Sequence, residues 1–460
     1  MFHPTSSLFV PTSYRVLFIV GGASLNRKMN TGNEDLAWAL AEAGVDVHII
    51  AGGMRPEEHS YNLPPRVFYY FTEKSSGIAE PGEHMELYKT LTQRLDFDFV
   101  IGWLLFLEPI LRARSDRGTG PIFIANEGQI SRDRRGNLRR LWHAVATIVG
   151  HSVPRARAEY ENHRARGRGP ISAWRGLSSA GAYVDFAVPI SGAVMKNCQD
   201  FYRIPAEKCR VIYGGIDHST FAPDPRIDRR RLGNPPRLIF SGDVKVSKGV
   251  MDVVDALYLI ETPVELVLCG NDPEMLVPEL TAKLDAGGHG HRLVYKGALG
   301  HDALSKELKE ADIFVFCSWT EGLGKSLLEA MACGLPVVVS DIDVFKEFVV
   351  DGQNGLIARL QAPNSIALAI DRFLHDPDLR DRCGREANKS MEKFNIRNEA
   401  GAWIDLFGES KITAKDRGSS WRDLMGWGRR IRVRAHAQAA SISRSAHRGE
   451  GEGDAALTGR

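Results

Sequence analysis

Apolar positions along the chain gather into short uninterrupted runs separated by segments of helical length. The first half has runs at 14–20, 45–51, 67–71, 97–101 and 121–125, and the second half at 237–241, 264–269, 292–295, 312–316 and 336–340. Such runs are the mark of strands buried on both faces of a parallel sheet. Between them the period lengthens to that of helices. Leu36, Ala39 and Leu40 share one face of a segment that stops at Gly44. A helix is expected over 249–259. Leu327, Leu328 and Met331 share a face over 325–333, which Gly334 ends with Pro336 just beyond. Strand and helix in alternation predict right-handed crossovers and a wound α/β fold, with ligands beyond the carboxyl ends of the strands. Two such domains are expected, at 12–215 and 237–408. The stretch 216–236 reads as a linker, holding Pro223, Pro225, Pro235, Pro236 and the run Arg229-Arg230-Arg231 with little apolar periodicity.

Composition narrows this picture. A chain of 460 residues, 43% of them hydrophobic, is long enough for two ordinary α/β domains. The formal net charge of +2 implies no global polyanion partner. Six cysteines are scattered with no Cys-X-X-Cys pair, so they read as small apolar residues of a cytoplasmic protein without a zinc site. No apolar run reaches the roughly 18 residues needed to span a bilayer, and the N-terminus lacks the layout of a signal peptide. Two segments stand apart. Residues 131–170 are rich in arginine (Arg132, Arg134, Arg135, Arg139 and Arg140 lead the set) around an apolar patch that starts at Trp142. This segment can lie on an anionic membrane surface, bind a phosphate-bearing acceptor, or be a solvated insertion. Nucleic acid is disfavoured because stacking aromatics and a known module are missing. Residues 409–460 read as a basic, disordered tail, with an island around Trp421 and Trp427 that offers a membrane-surface foot.

Candidate chemistry concentrates between Cys317 and Ile342. A strand end, the turn Glu321-Gly322-Leu323-Gly324 and a helix start follow one another there. Such a junction presents unpaired backbone N–H groups and the positive end of a helix dipole, which suits a phosphate. Glu321 and Glu329 stand eight residues apart, about 12 Å of helix rise. Carboxylates accept hydrogen bonds from vicinal hydroxyls, so a sugar or a ribose is their natural partner. Lys248, just before Gly249 at a helix start, opposes the dipole and hints at a bound anion.

Ser318, Glu321 to Gly324, Ser326, Leu328-Glu329-Ala330-Met331-Ala332, Gly334 and Pro336-Val337-Val338 together resemble the signature of retaining nucleotide-sugar glycosyltransferases of family 4. Those enzymes have the GT-B fold, two Rossmann-like domains facing each other across a cleft. The resemblance implies that Glu321 contacts the transferred sugar. It implies that amides of Leu323, Gly324 and Lys325, flanked by Gly322 and Ser326, hold the diphosphate, and that Glu329 holds the ribose. Lys248 would also meet the diphosphate, and loops at Gly242, Gly270 and Gly297 would approach the nucleotide. Four places depart from the pattern, the first being Arg27-Lys28-Met29-Asn30, which stands where a Gly-Gly loop is usual. Asp243 stands where an arginine is usual, with Lys245, Arg27 or Lys28 as compensating cations. Gly214 replaces an asparagine. Asn126 or Glu127 takes the place of a histidine near the reacting sugar, which puts Glu127 with Glu321 and Lys248 among the candidate catalytic residues. The likeness is close over 205–408 and loose over 12–204.

It implies transfer of a sugar from a UDP- or GDP-sugar to a hydroxyl of a glycan or lipid-linked acceptor, in bacterial polysaccharide or glycolipid synthesis. No metal and no cofactor are expected. The expected location is the cytoplasm, on the inner face of the membrane if the basic segments bind it. The alternatives are an epimerase of the same fold and a catalytically degenerate nucleotide-sugar-binding protein.

Overall fold

The computed structural model describes residues 14–20, 33–51, 65–71, 81–102, 107, 110–111, 121–127, 184–200 and 202–415. The side chains of residues 33, 34, 81–83, 127 and 411–415 are outside that description, as are the 21–32 loop with Arg27 and Lys28, the arginine-rich 131–170 segment and residues 416–460.

The first sheet contains β1 Arg15–Val20, β2 Asp46–Ala51, β3 Val67–Phe71, β4 Phe99–Gly102, β5 Ile122–Glu127 and β6 Phe186–Pro189, in the order β3-β2-β1-β4-β5-β6 and parallel throughout. The described helices flanking it are α1 Asn33–Glu42, α2 Pro81–Thr92 and α3 Gly192–Asp200. The second sheet repeats the plan with β7 Arg237–Ser241, β8 Glu265–Cys269, β9 Arg292–Gly297, β10 Ile313–Phe316, β11 Val337–Ser340 and β12 Leu356–Ala358, ordered β12-β11-β10-β7-β8-β9. Its helices are α4 Val250–Leu257, α5 Val277–Ala286, α6 His301–Glu310, α7 Lys325–Ala332, α8 Pro363–His375 and α9 Pro377–Met391. Helices on both faces explain the all-apolar strands: Val337, Val338 and Val339 are each fully buried, although successive side chains point to opposite faces.

Each sheet winds outward from its first strand in two directions. β7 is flanked by β8 on one side and β10 on the other. The loops that follow β7 and β10 therefore leave the sheet side by side, at the switch point where open α/β sheets bind ligands.

The expected linker is pinned to the second domain rather than free. Arg380, only 2% exposed, donates to the carbonyls of Arg229 (2.7 Å), Arg230 (2.6 Å) and Phe373. Arg229 in turn donates to the carbonyl of Ala311, and the Asp312 carboxylate accepts from the amides of Gly233 (3.1 Å) and Arg237 (2.7 Å). These contacts satisfy backbone groups that a proline-rich segment cannot pair internally.

The chain also returns. After α9 it passes Ile216, whose amide donates to Phe394 and whose carbonyl accepts from Ile396. It then forms α10, Ile396–Lys415. Trp403, Leu406 and Phe407 of α10 pack into the core of the first sheet, with the Phe407 ring stacked on Phe99 at 4.4 Å. Residues 396–407, which chain order assigns to the second domain, thus complete the first. Among the described residues no helix is long and apolar enough to cross a membrane.

Candidate active site

The two loops at the switch point of the second sheet meet. After β7 the chain runs through a single 3₁₀ turn, Val246–Lys248, into Gly249. After β10 it runs through Ser318 and Trp319 to Glu321. The Trp319 amide donates to the Ser247 carbonyl at 2.9 Å, and the Trp319 indole donates to Asp252 of α4 at 2.7 Å. Gly249 is forced by this contact. Its φ is +74°, and a Cβ there would lie 1.9 Å from the Cys317 carbonyl oxygen. The result is an ion pair that chain order does not announce: Lys248 Nζ lies 2.5 Å from Glu321 Oε1, with Glu321 only 10% exposed.

Three of the expected nucleotide glycines line up on adjacent strand ends. Gly242 follows β7, Gly270 follows β8, and Gly297 closes β9. Gly242 donates to Cys269 and Gly270 donates to Gly297, each at 2.8 Å. A Cβ on Gly270 would lie 1.9 Å from the Gly242 carbonyl oxygen, so this crest is flat bare backbone. Asp243 is taken up locally, 2.6 Å from Lys245 Nζ, so that lysine is already partnered.

At the start of α7, Gly324 is left-handed (φ +77°), and a Cβ would lie 2.7 Å from the Phe345 ring. Leu323 is buried, against the bare Cα of Gly214: a Cβ there would come within 2.7 Å of Leu323 Cδ2. The departure from asparagine at 214 is therefore matched by a leucine that fills the space. Among the described residues no group accepts from the amides of Leu323, Gly324, Lys325 or Ser326. These donors sit at the positive end of α7, next to the Lys248–Glu321 pair.

Glu329 is buried one turn further along. Lys325, half-buried, reaches from α7 to Asp35 of α1 in the first domain, Nζ to Oδ2 2.6 Å. Burial would lower the Lys325 ammonium, but Asp35, Glu329 and Glu399 outweigh it and hold it above its usual range. Glu399, from α10, accepts the Gly215 amide at 2.7 Å. Burial pushes the carboxyls of Glu329 and Glu399 up to about 7, Lys325 opposing and Asp35 assisting in both cases. One lysine thus serves three acids drawn from three separated parts of the chain.

A second junction lies beside the turn. Ser191, between β6 and α3, donates its hydroxyl to the Gly322 carbonyl at 2.6 Å. Glu347 of the second domain accepts the first two amides of α3, Gly192 (2.9 Å) and Ala193 (2.8 Å), and the Tyr213 hydroxyl (2.9 Å). Burial and this carboxylate push the Tyr213 hydroxyl pKa up.

The candidate residues separate accordingly. Glu321, Lys248, Gly322, Leu323, Gly324, Lys325 and Ser326 come together at one site, with Gly242, Gly270 and Gly297 on the crest of the same sheet. Glu127 ends β5 opposite Pro189, and its side chain lies outside the described residues. Asn126, opposite Val188, is buried at 7% exposure. Asp35, Glu347 and Glu399 escaped the sequence reading. Each is an ordinary polar residue near a helix end or turn, with no local pattern that marks it.

Two six-stranded parallel sheets, each wound with its own helices, define an α/β protein of the GT-B fold. The chain belongs to the glycosyltransferases: residues 29–220 match the model of Glycosyltransferase Family 4, and residues 225–390 match that of Glycosyl transferases group 1. It is 29% identical over 232 residues to an uncharacterised glycosyltransferase of Methanocaldococcus jannaschii, covering 48% of this chain and 59% of that protein. The chain thus spans little more than half the length of such curated relatives. Its fold is that of a sucrose-phosphate synthase from Thermosynechococcus elongatus, with a TM-score of 0.67, 18% identity, and 87% and 100% of the two chains covered. An Anabaena protein crystallised with UDP and glucose has the same fold, with a TM-score of 0.60, 15% identity, and 86% and 100% covered.

Proposed function

We propose that the protein moves a sugar from a nucleoside-diphosphate sugar to a hydroxyl of a glycan or lipid-linked acceptor, with retention of anomeric configuration. The observation that carries this reading is the Lys248–Glu321 pair, an ammonium and a carboxylate 2.5 Å apart at the mouth of α7. A nucleotide sugar has one place where a cation and a hydrogen-bond acceptor are needed together: the bond between the sugar carbon and the diphosphate. Glu321 accepts from sugar hydroxyls, while Lys248 and the amides at the α7 start take the diphosphate charge as that bond breaks. Glu329, one helix face away, accepts from the ribose diol.

The acceptor oxygen bonds to the carbon on the face that the diphosphate leaves, and its proton passes to a departing phosphate oxygen. Charge develops on the phosphate in this step, so fixed donors aimed there favour it more than they favour the bound substrate. UDP is the first nucleotide to test, in view of the Anabaena neighbour.

Calorimetric titration with UDP and GDP tests the reading. Tight binding of one of them, weakened by about 1–3 kcal/mol in Lys248→Ala or Glu329→Ala, supports it. Equal binding by both variants sinks it. A second reading, a nucleotide-sugar-binding protein without turnover, is favoured by Asp243, whose carboxylate is paired with Lys245 at the place of the usual arginine. Binding with no product on any acceptor would select it.

A further inference from the structure

We infer that Ser191 is a positioning residue of the donor site: from the first domain, it sets the direction of the backbone amide that meets the diphosphate. This rests on the site reading above and adds a residue that the reading does not contain.

The hydroxyl of Ser191 is fully buried and its bonding directions are assigned. Its oxygen accepts from the Val194 amide in the first turn of α3 (3.2 Å), so its single proton is directed at the Gly322 carbonyl, 2.6 Å away. The Gly322 carbonyl and the Leu323 amide belong to one peptide plane. In a trans peptide the C=O and N–H bonds point in opposite directions, and the plane resists twisting. Holding the oxygen toward Ser191 therefore turns the Leu323 N–H away from Ser191. Glycine at 322 leaves this peptide otherwise free to rotate, since no Cβ restricts it. Ser191 supplies that restriction.

The anchor is itself held. Glu347 grips the two amides that follow Ser191, and Tyr213 steadies Glu347 from the last residues of the first domain. Leu323 packs on Gly214 of the same segment. The donor turn is therefore oriented by Ser191 of the first domain, which Glu347 of the second domain holds in place.

The experiment compares wild type, Ser191→Ala and Ser191→Cys, with Lys248→Ala beside them. The probes are UDP, UMP, GDP and GMP, and melting temperature is recorded for each protein. Cysteine keeps the volume and replaces a strong donor with a weak one, so it carries the test if the alanine variant folds poorly. The expected result is roughly 2- to 12-fold weaker binding of the diphosphate, the worth of one hydrogen bond, with monophosphate binding and melting temperature near wild type. Equal weakening of diphosphate and monophosphate would overturn the inference and make Ser191 a structural residue. No weakening in either serine variant while Lys248→Ala loses affinity would overturn it and leave the donor site standing. Failure of wild type to bind any of the four nucleotides would overturn both.

Discussion

Lys325 offers the most discriminating perturbation. Its ammonium lies 2.6 Å from Asp35 of the other domain, and Glu329 and Glu399 share the same pocket. Replacing it with methionine keeps most of the volume and removes the only cation among these four residues. Three acids then face one another where water cannot solvate them fully. Breaking a buried pair by deleting one partner costs about 3–5 kcal/mol. With roughly 2–4 °C per kcal/mol for a domain of ordinary size, the melting temperature should fall by on the order of 10 °C.

The loss should also depend on pH. Glu329 and Glu399 already titrate at about 7 with the lysine present. At pH 6 they take up protons and relieve the repulsion, whereas at pH 8 they must ionise without a partner. Scanning calorimetry of wild type, Lys325→Met, Asp35→Asn and the double variant at both pH values tests this. The expected pattern is a larger loss for Lys325→Met at pH 8 than at pH 6, and a double variant less damaged than the sum of the two single variants. A loss under about 1 kcal/mol that is the same at both pH values, with additive variants, would refute the reasoning.

Three further outcomes follow. Glu329 must be ionised to accept two hydrogen bonds from a ribose, so nucleotide affinity should rise about tenfold from pH 6 to pH 8, a dependence that Glu329→Gln should flatten in calorimetry. The same raised pKa acts oppositely on stability. The folded state binds more protons than the unfolded one between the ordinary carboxyl value of 4.5 and about 7, so this contribution is complete below 4.5 and is lost as pH rises through 7; a Glu329→Gln melting curve should lack this fall. Gly249→Ala places a Cβ 1.9 Å from the Cys317 carbonyl oxygen at a left-handed φ. It should destabilise the protein by more than about 2 kcal/mol and weaken nucleotide binding together with it, measured by denaturant unfolding and titration.

The contrast between what could be read early and what could not is sharp in particular residues. The run 67–71 is β3 at both ends, and 237–241 is β7 at both ends. β7 is buried along Leu238, Ile239 and Phe240, a condition that the local pattern records directly, whereas β3 lies at the sheet edge and leaves Phe68 46% exposed. The helix start at Lys325 follows from Gly324, and its end from Gly334, because glycine at φ +77° and +70° is a local backbone requirement. The segment 396–407 behaved differently. Nothing in its period says which sheet it covers, and it crosses back to the first. The linker was legible as proline-rich, while its fastening by Arg380, some 150 residues on, was not.

By itself, then, the sequence determined two wound parallel sheets and a helix start equipped for phosphate with Glu321 beside it, because hydrophobic period and glycine conformation are set within a few residues. Only the tertiary structure decided that Lys248 meets Glu321, that Lys325 meets Asp35 across 290 positions of chain, and that Ser191 donates to the Gly322 carbonyl. Such contacts depend on where two chain segments come to rest. A single charged or hydroxyl side chain gives no sign of that until both domains have folded around it.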